Sequence, residues 1–229
     1  MDTQTTPLLD IESVDVDGAI RETADAASGT TRAQFLKRFA VGAGGAVAAS
    51  SLLAPAASMA ATREIGSSPT NDIKILNYAL TLEYLEAAFY AEAVRKGALN
   101  STNAYFAKVV AGHEAAHVKA VAATIRQLGG TPVKSPKFNF KGTTGSNNSF
   151  TATALALEET GVAAYLGQVA YIHSTAVTQA AGRIATVEAR HAAWIRSILG
   201  KLPAPGVLDG VRTIPSTLKI VKGTGFIVG

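Results

Sequence analysis

Residues 111–120 read AGHEAAHVKA, and the five letters His113-Glu114-Ala115-Ala116-His117 have two readings that belong to different folds. As H-E-x-x-H they describe a helix with two zinc-binding His one turn apart and a Glu as general base. Taken from the second letter they are Glu-x-x-His, the share that one helix contributes to a two-metal site inside a four-helix bundle. A zinc site of the first kind needs a third ligand, yet Ala120 and Ala123 stand where H-E-x-x-H-x-x-G-x-x-H requires Gly and His. From residue 118 to 157 there is no Asp, Glu or His at all. The metalloprotease reading therefore lacks its third ligand.

The second reading finds its partner downstream. Glu188-Ala189-Arg190-His191 repeats Glu114-x-x-His117 at a displacement of 74, and Glu158 with Tyr165 repeats Glu83 with Tyr90 at a displacement of 75. Both pairs sit in segments with apolar residues at helical spacing. The first runs from Asn71 and Asp72, read as caps, to Gly97; the second from Ser101 or Thr102 to Gly129-Gly130. A polar, Gly- and Pro-rich connection follows, with a short strand expected at Lys137-Phe-Asn-Phe140, and then helix again from Phe150 to Gly200, broken near His173 to Thr175. Four helices with a long connection between the second and third make an all-α bundle, built from one helix pair used twice.

Residues three apart on a helix lie about 60° apart around its axis, so Glu114 and His117 reach one spot, as do Glu188 and His191. Glu83 and Glu158, one from each remaining helix, complete a set of four carboxylates and two imidazoles. Such donors suit two ions of iron or manganese. Burying four carboxylates among Ala and Leu without cations would be costly, and Arg190 is the one Arg or Lys that recurs beside them. By helical phase with the Tyr positions, Glu83 and Glu158 are the inward members, leaving Glu86 and Glu159 as ordinary solvent-facing residues. His113 and His173 are read as surface or hydrogen-bonded histidines, and Phe89 and Trp194 as packing residues.

Composition narrows the setting. The 229 residues are 48% hydrophobic, enough for one core, and contain no Cys, which leaves oxygen and imidazole as metal donors. Residues 1–30 carry seven acids against one Arg and read as a disordered leader. TRAQFLKRF and the Ala-, Gly- and Val-rich stretch after it then have the build of an export signal, with cleavage expected near Ala56 or Ala60. Arg32, Phe35, Leu36 and Lys37 resemble a twin-arginine signal in which Ala33 replaces the second Arg. About 14 weakly apolar residues are too few for a membrane anchor. The expected division is a leader and signal over 1–60 and one domain over 61–229, with the bundle core at about 71–200 and a tail at 201–229 of unassigned structure, without an obvious fifth helix. Without the leader the chain keeps 17 basic against 10 acidic residues, but they are scattered, so nucleic-acid binding is not expected.

LEYLEAAFY, HEAAH, ALEETGVAAY and VEARHAAW together resemble the ferritin-like superfamily, and most of all its exported ferritin-like domain branch that includes desiccation-related proteins. The resemblance spans roughly residues 70–200. It implies a ferritin-like four-helix bundle with Glu83, Glu114, His117, Glu158, Glu188 and His191 as ligands of two metal ions, iron or manganese. Tyr90 and Tyr165 would hydrogen-bond ligand carboxylates. It further implies oxygen, peroxide or metal redox chemistry, as in a di-metal oxidase or a catalase-like enzyme, with dioxygen or peroxide as partner. The expected protein is exported to the periplasm or beyond and is a monomer or homodimer. The alternative is a structural or protective envelope protein, with or without metal and without turnover.

Overall fold

The computed structural model describes residues 68–228; the leader and export signal expected over residues 1–60 lie outside the described residues. Helix α1 spans Pro69–Lys96 and α2 spans Ser101–Gln127. Helix α3 covers Asn147–Gln168, α4 covers Thr175–Ile198, and a short α5 covers Ile214–Thr224. Among the described residues the fold is an all-helical bundle.

Local chemistry sets the ends. Helix α1 begins earlier than Asn71 because the Ser68 hydroxyl accepts the Asn71 N–H at 3.1 Å and Pro69 fits the first turn. Asp72 is thereby free for a longer-range task. Its buried carboxylate accepts the backbone N–H groups of His173 and Ser174 at 2.7 and 2.9 Å, fixing the turn between α3 and α4 to the start of α1. Gly97 ends α1 at φ 61°, and Ser146 and Ser174 cap α3 and α4.

Helix α1 packs mainly along α2, and α3 along α4; the two pairs then meet through α1 with α3 and α2 with α4. Two apolar clusters fill the interior. One gathers Phe89, Phe106, Phe150 and Ile195; the other gathers Leu80, Val121, Ile125 and Ala181. On α2 the first cluster takes Phe106 to Val110 and the second Val121 to Ile125, so Glu114 and His117 fall between them. On α4 the order reverses, and Glu188 and His191 again fall between. The polar layer is thus sealed by hydrocarbon above and below.

Two expectations change. Lys137 to Phe140 forms no strand: Phe138 makes one isolated antiparallel bridge to Ile227. The tail does contain a helix, α5, started by the Thr213 cap and Pro215 and ended by Gly225 at φ 62°. Its Val221 and the following Phe226 are buried with Phe140 in the first cluster. Leading into α5, the Arg212 N–H donates to the Ala163 carbonyl at 2.9 Å, and a side chain at Gly167 would place its Cβ 1.9 Å from the Arg212 carbonyl oxygen. The tail crosses α3 where only Gly leaves room.

Candidate metal centre

Glu83, Glu114, Glu158 and Glu188 are each 0% exposed, and His117 and His191 are buried beside them. The structure brings these six side chains together in two overlapping groups. Glu83, Glu114, His117 and Glu188 offer one set of ligand atoms within 4.8 Å of one another; Glu114, Glu158, Glu188 and His191 offer the other. Glu114 and Glu188 belong to both, as carboxylates bridging two ions would.

The His nitrogens show what these groups could hold. His117 Nδ1 lies 3.3 Å from Glu83 and from Glu114 and 3.0 Å from Glu188. His191 Nδ1 lies 3.2 Å from Glu114 and from Glu158 and 3.7 Å from Glu188. One ring N–H cannot satisfy three carboxylates, and Glu83 Oε2, Glu114 Oε1 and both Glu188 oxygens have no hydrogen-bond partner despite these short distances. Buried lone pairs left unpaired and aimed at a common point are costly in a protein but are what a cation requires. The donor set of oxygen and imidazole fits iron or manganese.

As protein groups alone, the cluster shares protons. Burial raises the Glu83 carboxyl to about 8, opposed by the His117 contact and reinforced by Glu188 and Glu114. Burial likewise holds Glu158 well above the usual carboxylate range, against the pull of His191. Glu188 goes the other way: burial would raise it, but its contacts with His117 and His191 prevail and bring it down to about 2. Burial disfavours both imidazolium forms, yet the surrounding carboxylates prevail and raise His117 to about 12 and His191 to about 11. Metal binding here would displace protons from the two imidazoles.

Two phenols cross between the halves. The Tyr90 hydroxyl on α1 donates to Glu158 on α3, and the Tyr165 hydroxyl on α3 donates to Glu83 on α1. Burial first, then the accepting carboxylate, pushes both phenols well above their ordinary range, so they stay protonated donors. The Tyr90 ring meanwhile packs edge-on to Phe89, Phe106 and Phe150, which holds its hydroxyl in place.

Glu86 is the correction. Sequence phase made it solvent-facing, but it is 3% exposed, and burial followed by Glu188 and Glu158 holds its carboxyl far above the usual range. The signal was Gly161, which occupies the position equivalent to Glu86 in the second half. A Cβ there would lie 3.2 Å from Glu86 Oε1 and 3.5 Å from Glu188 Oε2, so the missing side chain makes space for a fifth carboxylate. Glu159, by contrast, is 39% exposed at its side chain and pairs with Arg196.

His113 is exposed, as a surface histidine should be, but its Nδ1 lies 2.9 Å from His191 Nε2. It shares no ligand group with His117 among the described residues, so the H-E-x-x-H pairing is not assembled there. His173 is exposed at the turn held by Asp72. Trp194 packs edge-on against Phe106 and Tyr105. Among the described residues, cavities open between α2 and α4 beside Arg190: one of about 500 Å³ reaches His117 and Tyr165, another of about 390 Å³ reaches His113 and His191.

A helical bundle with paired carboxylate and imidazole donors from four helices defines a class, and comparison places the chain within it. The ferritin-like domain family matches residues 71–201, more than half of the chain, and the chain belongs to that family. Among solved structures, a conserved hypothetical protein from Mycobacterium tuberculosis is similar in fold, with a TM-score of 0.52 and 15% identity, covering 62% of this chain and 99% of that one. No curated protein matches the chain.

Proposed function

We propose that this protein holds two metal ions, iron or manganese, and uses them in oxygen, peroxide or metal redox chemistry as an exported stress-protection protein. The carrying observation is the convergence of Glu83, Glu114, Glu158 and Glu188 with His117 and His191 in two groups that share Glu114 and Glu188. Ions of this kind would supply cycling between oxidation states. The chain's own residues would hold them by six side chains, fix Glu83 and Glu158 through Tyr165 and Tyr90, and keep bulk water out with the two apolar clusters. The cavities between α2 and α4 favour chemistry over a purely structural metal, because small molecules can reach the imidazole side of the cluster. The arginine-led segment at 31–38 and the apolar stretch after it support export, and with it membership of the desiccation-related branch. Among the described residues no helix is long and apolar enough to cross a membrane.

The test is turnover by metal-loaded protein. Purified chain supplied with iron and manganese should consume hydrogen peroxide or oxidise ferrous ion, and Glu114→Ala should do neither. Metal-loaded protein inactive in both assays would favour the structural and protective role.

A further inference from the structure

The internal repeat makes each half a reference for the other. At the cluster the halves differ in two ways that converge: His113 corresponds to Val187, and Glu86 to Gly161. Both extra groups come from the first half, and both are applied to the His191 side. Glu86 leans through the gap at Gly161 beside Glu188 Oε2, the oxygen nearer His191, whereas Glu188 Oε1 faces His117. His113 lies parallel to His191, with ring centroids 5.1 Å apart and planes 14° apart, and its Nδ1 is 2.9 Å from His191 Nε2.

That contact selects a tautomer. His191 Nδ1 faces the carboxylates, so an ion held there takes Nδ1, and the ring hydrogen must sit on Nε2, where His113 Nδ1 accepts it. The hydrogen bond and the ring stacking together fix the rotation of His191 about its side-chain bonds. His117 has no comparable partner for its Nε2 among the described residues, because Val187 offers no acceptor. One imidazole is therefore set in its ligating pose before an ion arrives, and the other is not.

We propose that the two metal positions are inequivalent and that His113 is a positioning residue that preforms the His191 position, so that this position fills first and holds its ion more tightly. The inference rests on the dinuclear reading above and adds an order of filling to it. Partner groups of ligand imidazoles change metal affinity by about 10- to 100-fold, which sets the size of the effect.

The test titrates Co(II) into chelator-treated full-length chain, counting bound ions by native mass spectrometry and following the visible absorption of the cobalt. Wild-type protein should fill in two steps separated by about tenfold or more in affinity. His113→Ala should weaken the His191 position by about 10- to 100-fold, so that the first step weakens and the gap between the two steps closes. His113→Gln, whose side-chain carbonyl can accept the same N–H, should recover most of the loss; His113 is exposed, so neither change disturbs the core. Two equal steps in wild-type protein, or an unaltered first step in His113→Ala, would overturn the inference while leaving the dinuclear site standing. A chain that binds neither cobalt, iron nor manganese would overturn the dinuclear reading and the filling order together.

Discussion

The two halves of the bundle, α1 with α2 and α3 with α4, carry the same candidate ligand residues at the same spacing and even exchange the same hydrogen bond, Tyr90 to Glu158 and Tyr165 to Glu83. Around that shared frame they diverge. The first half adds Glu86 and His113; the second answers with Gly161 and Val187, and adds Gly167, over which the tail crosses. Holding a cation needs a complete donor set from both halves, so those residues match. Reach, charge and covering of the site need only one version of each feature, and there the halves are free to differ.

Breaking the matched part should have the largest effect. Glu114 and Glu188 serve both ligand groups, whereas Glu83 and Glu158 serve one each. Glu114→Ala or Glu188→Ala should leave essentially no bound metal by elemental mass spectrometry, and Glu83→Ala or Glu158→Ala should retain about half the wild-type content. Equal losses in all four variants would mean that the groups do not overlap as described.

Next in size is the pH dependence of chelator-treated protein. The Glu83 carboxyl, raised to about 8, contributes stability that is full below its unfolded value of 4.5 and is lost as pH rises through about 8. His191, raised to about 11, contributes stability that is full below 6.5 and is lost as pH rises through about 11. Glu188, lowered to about 2, contributes above 4.5 and loses that only as pH falls through about 2. Between about pH 6 and pH 9 the first two effects act and the third is constant, so metal-free protein should lose on the order of a few kcal/mol and melt at lower temperature. Bound metal stands in for the displaced protons, so its stabilising effect in thermal melts should be larger at the higher pH. A metal-free protein that melts higher at pH 9 would break this account of the cluster.

The unmatched glycine comes third. Gly167→Ala would press a methyl group against the Arg212 carbonyl and should cost about 1–3 kcal/mol in denaturant melts, with metal content unchanged. No loss of stability would mean that the tail is not held against α3 as described. Smallest are the matched phenols: Tyr90→Phe and Tyr165→Phe should each weaken metal binding about tenfold, by similar amounts. A marked difference between them would show that the inequivalence of the halves extends to the tyrosines.

Much of this was legible in the letters. The repeat at 74 and 75 residues identified four helices and six converging side chains because a helix presents residues three apart on one face whatever surrounds it. Glu86 is buried against its helical phase for the complementary reason. Helical phase ranks faces by the apolar residues on them, and a carboxylate one turn from Glu83 is inward only if the facing helix leaves a gap; that gap is Gly161, a long-range fact. The short helix at Ile214–Thr224 escaped for want of length, its burial resting on Val221 and Phe226 meeting Phe140 across the fold. The hydrogen bond of His113 to His191 joins α2 to α4 and has no local signature at all.

The measurement that bears most directly on the central claim is the metal stoichiometry of the wild-type chain by native mass spectrometry, after expression with iron and manganese both supplied. The account predicts two ions of iron or manganese per chain. A chain carrying neither metal would contradict it.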